Sequence, residues 1–543
     1  MQTVSKVEEW KEIHRQTILK ESFVEVSLDI TDPDVRVGAN TQDNGAIYIS
    51  DSSKLISGED TTPSPYCTLE QNLWCLDGKR KAIPESEFGD SSYASDVLSD
   101  DTCIFSSKVP IITIVMRKVF PAMIPGITIT WSKTYGEWAD NFVVIAYNGT
   151  NIVAEKEVTG NRSVTSVVLT EISSYDRIII LVKKWCLPNH RARVEDIWLG
   201  IHKVYGKSEL FDYSHKQTVD PISTSLPKVE IKFSVDNVDG AYNPYNTNGL
   251  AKYLMERQEV KSRYGLKMND GSIEWVKGGT FYLSEWYAKQ NDLTASFTAR
   301  DMLEFLSEKY FVRTTTSDVY WNSLGWLAES LLKKANIPGH TESTPKWVID
   351  ESLYDETKMM SSSPIPEDSL ANCLQLIANA GECTMYQDRD GILRIEPLKY
   401  DDTDYVIDKF NSYTKSEMSL SKPIKQIKVK HYHYVGGDVD WTEEVTYPEN
   451  GGVLNSSGET ITIDNPFITN ADRALSVAKW VASYLENRIT LDSSWRPDVR
   501  LDALDIISNV NDYTASKVRM TDVEFKFNGA FSGTGKGRVI GNG

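Results

Sequence analysis

The chain has 543 residues, 40% of them hydrophobic and 10% aromatic, which is enough for packed cores and excludes a disordered chain. Its 58 basic residues stand against 77 acidic ones, a formal net charge of −19, the opposite of the basic balance that grips nucleic acid. At roughly 100–200 residues per domain, the length fits about three or four domains.

A helix is predicted over 7–19. It leads into a strand in which Phe23, Val24, Val26, Leu28 and Ile30 carry the apolar positions of SFVEVSLDITD. Residues 31–105 are rich in Ser, Asp, Gly and Pro around one hydrophobic island at 66–76, and read as loops and short strands over a neighbouring domain. From 109 to 204 the composition turns to Ile, Val and Thr. Strands are predicted at 111–116, 126–132, 141–147, 152–158, 163–169, 177–184 and 192–205, with hairpin turns at Asn148-Gly149 and Thr159-Gly160-Asn161. Short strands at this spacing argue for a β-sandwich.

The stretch 226–305 has the clearest period. Val229, Ile231, Phe233 and Val235 alternate with Lys228, Glu230, Lys232 and Ser234, the pattern of a half-buried strand. The first set should be buried and the charged set exposed or at a subunit contact. Strands also follow at 280–286 and 294–298, separated by turns at Asp239-Gly240, Asn269-Asp270-Gly271, Gly278-Gly279 and Asn291-Asp292. Asp301 is the expected N-cap of a helix carrying Met302, Phe305 and Leu306.

Beyond it, Leu324, Leu327, Leu331 and Leu332 share one helical face, ended by Ile337-Pro338-Gly339. Leu370, Cys373, Leu374 and Ile377 share another, with Gly381 as C′ residue. A hairpin turning at Asp390-Gly391 comes next. Strands at 425–435, 439–447 and 460–464 precede a helix over 470–488, with Ala474, Leu475, Ala478, Val481, Ala482 and Leu485 inward. Strands near 504–510 and 518–527 close the chain.

Chemistry-bearing patterns are sparse. Cys67, Cys75, Cys103, Cys186, Cys373 and Cys383 lack C-x-x-C spacing and read as reduced, buried thiols of a protein folded in a cytoplasm, with a Cys67–Cys75 bridge as the alternative. His431 and His433 share a strand face without a nearby third ligand, so solvated or partner-facing histidines are favoured over a metal pair. Asp236 to Gly240 with Asn243 reads as a turn, with calcium ligation as the alternative, because the register departs from an EF-hand. Asp498, Asp502 and Asp505 read as surface or interface carboxylates. Gly533, Gly535 and Gly537 lack the P-loop's strand–helix context and its Lys-Ser/Thr, and no G-x-S-x-G elbow occurs. No catalytic, metal or cofactor site is assigned. Met1 leads into polar residues, unlike a secretory signal, and no apolar run reaches the ~20 residues of a membrane span.

Two resemblances follow. GITITWSKTYGEWADNFVVIAYN with YDRIIILVKKWCLPNHRARVEDIWLGI resembles the discoidin-like, carbohydrate-binding-module jelly rolls. Such modules contact sugars through loop aromatics, which implies Trp131, Tyr135, Trp138 and Trp185 with Arg191 and Arg193. Burial of these aromatics in a core is the bland alternative. The order of SFVEVSLDITD, KVEIKFSVDNVDGAYNP with GGTFYLSEW, SLANCLQLIANAGECTMYQDRDGILRI and LDALDIISNVNDY with VRMTDVEFKFNGAFSGTGKGRVI resembles the hub proteins of phage tail tips and baseplates, found also in tail-associated proteins of Gram-positive phages and in phage-like bacteriocins.

The hub resemblance implies a mainly β, multidomain chain of β-barrel-like hub domains plus the β-sandwich (jelly-roll) module, with α+β parts. The segments are 1–106 (N-terminal hub segment), 107–205 (discoidin-like module), 206–310 (barrel-like), 311–420 (α+β) and 421–543 (β-rich with one helix). It further implies a structural, non-enzymatic homotrimer in the virion, assembled in the host cytoplasm. Its partners would be tail tube or distal tail proteins and spike or fibre proteins. The genome DNA would pass without specific binding, as an acidic surface allows. The alternatives are a host-surface carbohydrate-binding tail protein acting on a glycan through the module, and an enzyme on cell-wall polysaccharide.

Overall fold

A computed structural model describes residues 1–542 except 17–20, 59–62, 71–72, 77, 79, 83–91, 290–292, 313–321, 343 and 511–514. The fold is mainly β and multidomain. It forms two compact units, a larger one of Met1–Ser27, Val204–Lys252 and Glu259–Gly543, and a smaller one of Leu28–Lys203 with Tyr253–Gln258. The chain leaves the larger unit along the strand Ser22–Ile30 and returns along Ile201–Tyr205, which pairs with it.

The larger unit is organised on a 13-stranded sheet. From Ser22–Ile30 its order runs through Glu259–Lys267, Ile273–Ala288, Thr294–Arg300, Lys228–Asp236, Leu210–Thr218, Ala515–Phe527, Phe531–Asn542 and Ile489–Trp495 to Glu417–Leu420. Among the described residues the order never returns on itself, so an open sheet stands where barrel-like domains were expected. The alternation in Lys228–Asp236 holds: Val229, Ile231, Phe233 and Val235 are buried, and Lys228 and Lys232 are exposed. Phe233 stacks on its cross-strand partner Phe297 at 5.2 Å, a pair worth ~0.5–1.5 kcal/mol beyond its buried area. On the other face half-buried Glu230 meets Lys232 at 2.9 Å and Arg300 at 3.1 Å.

Gly278-Gly279 makes no turn. It lies inside Ile273–Ala288, where a Cβ on Gly278 would stand 2.9 Å from the Ser262 carbonyl oxygen. The neighbouring register slips between Ser262 and Arg263, so the glycines let two backbones approach at a bulge. The Asn269-Asp270-Gly271 turn is present, with Gly271 at φ 85°, whereas Asn291-Asp292 lies outside the described residues.

Helices Leu303–Glu308, Leu324–Ala335, Leu370–Ala380 and Ala471–Leu485 share one core with the hairpin Thr384–Gln387/Leu393–Glu396 and the strand Ile424–Val435. Side chains of Ser323, Ser369 and Asn470 cap three of them, accepting from Trp326, Asn372 and Arg473 amides. Asn336, left-handed at φ 49°, ends the first of these three in place of the Pro-Gly expected there. Gly381 is not left-handed (φ −87°); Glu382 is, at φ 55°, and a Cβ on Gly381 would run into Leu353. The helix predicted over 7–19 spans Val7–Arg15, with Trp10 and Ile13 buried, and its expected end lies outside the described residues.

Gly533, Gly535 and Gly537 occupy alternate positions of Phe531–Asn542. Cβ atoms there would stand 2.8 Å from Pro497 and 2.6 Å from the Asp522 and Arg519 carbonyl oxygens respectively. The glycine run is thus a close-packed strand face.

In the smaller unit a five-stranded sheet (Ala39–Asp43, Ile111–Phe120, Tyr175–Trp185, Ala139–Asn148, Asn151–Val158) and a three-stranded one (Asp196–Trp198, Ile124–Thr130, Thr165–Ile172) share one core. Thr159-Gly160-Asn161 is a crossover between the two sheets, because Thr165–Ile172 pairs with Ile124–Thr130. The single strand expected over 192–205 is broken into Arg191–Val194, Asp196–Trp198 and Ile201–Tyr205. Residues 31–105 fold with this unit: Ala39–Asp43 pairs with Ile111–Phe120, and Tyr93–Leu98 with Arg191–Val194. Of their hydrophobic island Leu73 is buried, and Leu69, Trp74 and Leu76 are exposed.

Candidate functional site

The residues expected to contact sugar converge at one end of the smaller unit, around two buried carboxylates that the sequence did not single out. Glu70 is buried and accepts from both Nη atoms of Arg193, Nη1 at 2.7 Å, and from the Arg191 amide at 3.0 Å. Burial alone would push the Glu70 carboxyl up, but the Arg193 guanidinium outweighs it and holds it below its ordinary value. Glu137, also buried, accepts from Trp185 Nε1 at 2.9 Å and lies 3.0 Å from His190 Nδ1. The Tyr135 hydroxyl accepts from the Tyr66 amide at 2.7 Å and donates to the Tyr66 carbonyl at 3.1 Å, while the Arg193 guanidinium lies 4.8 Å from the Tyr135 ring centre.

Two of the six residues leave the list of ligand contacts. Trp131 and Trp185 are both 0% exposed, and their indole N–H groups are taken by Ser166 and Glu137. Their rings meet edge to face at 6.1 Å in the core. Trp138 is half-buried against the same core. Arg193 is turned inward to Glu70, and half-buried Arg191 donates to the Ser95 carbonyl at 2.8 Å. What this end of the unit presents outward is the loop that Glu70 anchors, with Leu69, Trp74 and Leu76. Its one signal in the sequence is that Glu70 is the single charged residue of the island 66–76.

In the larger unit Asp498 is buried and Asp502 and Asp505 are half-buried, where surface or interface carboxylates were expected. Asp498 is 1% exposed, holds Arg500 at 2.6 Å and accepts from Trp10 Nε1 at 3.1 Å. Asp502 meets Arg389 Nε at 2.6 Å and accepts from Gln2 and Gln217, and Asp505 meets the Met1 ammonium at 2.6 Å. Burial and the neighbouring Asp502 charge hold the Asp505 carboxyl above its ordinary value. Asp502 is held below it despite burial, through Arg389. From Gln217 a buried polar chain continues to His215 (3.3 Å), Tyr264 (2.7 Å) and Tyr213 (2.9 Å). Burial, helped by Arg389, pushes the His215 imidazole down to about 3, so it is neutral. A cavity of about 710 Å³ borders this network. Each of the three carboxylates is thus bound to a cation, nearby for Asp498 and distant in sequence for Asp502 and Asp505.

The remaining patterns are spent locally. His433 stacks on Trp441 at 5.1 Å with Asp440 3.3 Å away, and His431 is buried with Glu443 at 3.6 Å. Asp236, Asn237, Asp239 and Asn243 accept from the Val238, Tyr242, Ala241 and Tyr245 amides, a chain of turns. Among the described residues no group of three or more His, Cys, Asp or Glu is placed to hold a metal, and no helix is long and apolar enough to cross a membrane. All six cysteines are free; Cys373 and Cys383 are buried as expected, the other four only half-buried, and the Cys67 thiol donates to the Cys75 carbonyl at 2.9 Å.

No protein-family model and no curated protein matches the chain. Its structure neighbours are phage tail and baseplate proteins and VgrG-like proteins of type VI secretion systems. It is similar to the 43 kDa tail protein of prophage MuSo2 from Shewanella oneidensis, at 12% identity and TM-score 0.42, over 62% of this chain and 95% of that one. The tail protein from Neisseria meningitidis MC58 matches at 11% identity and TM-score 0.42, over 62% and 93%. A chain of the phage P2 baseplate in its activated conformation matches at 7% identity and TM-score 0.24, over 65% and 93%.

Proposed function

We propose that the protein is a structural hub of a phage or phage-like tail tip, a homotrimer joining tail tube or distal tail proteins to spike or fibre proteins. The observation that carries this reading is where the resembling segments lie. Strands Ser22–Ile30, Lys228–Asp236, Ile273–Ala288, Ala515–Phe527 and Phe531–Asn542 belong to one sheet, and the helix Leu370–Ala380 belongs to the same larger unit, apart from its boundary residues. Stretches scattered over the sequence thus form one scaffold, with the Ile/Val/Thr-rich region outside it. The neighbours named above bear names of the same kind, but the reading rests on the chain's own segments. The net charge of −19 suits a path along which nucleic acid slides without being held. No catalytic role is assigned.

Gold-labelled antibody against this chain should decorate one end of the tail of the purified parent particle. Label on the head or along the whole tube would overturn the reading. Analytical ultracentrifugation of the full chain should give a trimer; a monomer at high concentration counts against the hub.

A second reading, host-glycan binding by the smaller unit, is favoured by the exposure of Trp74 at 59%. Its rim would be Trp74 with Tyr135, Trp138 and Arg191. A glycan array probed with the full chain tests it, and a signal unchanged in Trp74→Ala removes it.

A further inference from the structure

The larger unit contains a second cavity, of about 730 Å³. Residues 461–465, five in a row, border it together with parts of the Ile489–Trp495 and Phe531–Asn542 strands. Side chains alternate along a strand, so consecutive residues border one space only when the strand turns its edge to it. The strand concerned, Glu459–Asp464, pairs on one side with Ile424–Val435 in a three-stranded sheet and ends that sheet on the other. Its outward amides and carbonyls therefore line the cavity. Such an edge is a template for another strand.

The side chains around the edge say what kind. Leu376, Ile461, Ile463 and Leu491 supply apolar walls. Four carboxylates, Asp220, Asp464, Asp492 and Asp522, face two cations, Lys536 and Arg538. Asp464 is paired with Lys430 at 2.6 Å and Asp492 with Lys536 at 3.3 Å. Asp522 accepts from the Thr218 hydroxyl, and Asp220 from the Thr224 and Ser225 amides. Among the described residues neither of these two carboxylates has a basic side chain as ion-pair partner. The cavity thus joins an open strand edge, apolar walls and an excess of negative charge.

We infer that this cavity binds an extended segment of a partner protein, added as a fourth strand beside Glu459–Asp464, with alternating apolar and basic side chains. The main chain supplies affinity, and the carboxylates select lysine or arginine over acidic residues. The inference is independent of the tail reading and stands or falls on binding alone.

The test uses the full chain and fluorescein-labelled synthetic peptides read by anisotropy. A short peptide alternating lysine and valine should bind. The same peptide N-methylated at alternate residues, which cannot pair as a strand, should not. Nor should a peptide alternating glutamate and valine. Asp522→Lys and Thr462→Lys, both away from the buried core, should each weaken the lysine peptide about tenfold or more, with melting temperature checked to exclude misfolding. Absence of binding by the lysine peptide, equal binding of all three peptides, or indifference of both variants would overturn the inference.

Discussion

The two units bury arginine–carboxylate pairs to different ends. In the smaller unit Arg193 lies against Glu70 of a single loop, so the pair pins that loop and with it the outward Trp74. In the larger unit Arg389 at a hairpin tip meets Asp502, and Trp10 of the first helix meets Asp498. There Arg389, 113 positions away, and Trp10, 488 positions away, join a hairpin and the first helix to one short carboxylate segment. A buried ion pair adds little net stability over a hydrophobic isostere, but losing one partner is costly. The pairs span similar distances in sequence and differ in what they hold: an outward loop in one case, a hairpin docked on the carboxylate segment in the other.

Substitutions can break this comparison. Arg193→Met takes the closer of two cations from buried Glu70, leaving Arg191 Nε at 3.5 Å, and should cost about 3 kcal/mol in urea unfolding of the transition that reports the smaller unit. It should also open residues 66–76 to proteolysis. Arg389→Met should instead lower the larger unit's transition and leave that loop protected; equal loop cleavage in both variants would erase the distinction.

Asp301 is the contrasting case, a buried carboxyl accepting from the Val229 and Leu303 amides. Burial, against the amides' pull, pushes it from 3.8 up to about 7. Because the folded value is raised, its favourable contribution is full below the unfolded value and is lost as pH rises through about 7. The wild type should therefore lose stability relative to Asp301→Asn across that window, on the order of 4 kcal/mol in total. A pH-independent gap between the two proteins would refute the assignment.

Smaller effects complete the scale. Ser369→Ala removes the cap of Leu370–Ala380 and should cost ~1 kcal/mol, with Ser369→Asp restoring it. Lys232→Ala cuts an ion pair of the exposed sheet face and should change stability by less than ~1 kcal/mol. A larger loss would show that this face is covered, as a subunit contact would make it.

The legible parts of the fold are those with a short period. The alternation of Lys228–Asp236 and the leucine stripe of Leu324–Ala335 each put their burial pattern into adjacent letters. Gly278-Gly279 and Thr159-Gly160-Asn161 misled because glycine signals any close backbone approach, and only the partner strand decides between turn, bulge and crossover. The site was less legible still. Trp131 and Trp185 were singled out as aromatics, but whether an aromatic faces water depends on the sheet packed over it. Glu70 went unnoticed because its meaning comes from Arg193, 123 positions away.

The long segment of the smaller unit, Leu28–Lys203, begins and ends on a pair of neighbouring strands, Ser22–Ile30 out and Ile201–Tyr205 back. Bringing the ends of a long insertion together carries an entropic cost that grows only slowly with its length, and here the ends are already hydrogen-bonded side by side. The strand pair therefore works as a graft junction: what is spliced onto it can be lengthened, replaced or shortened to a hairpin while the host sheet keeps its strand order.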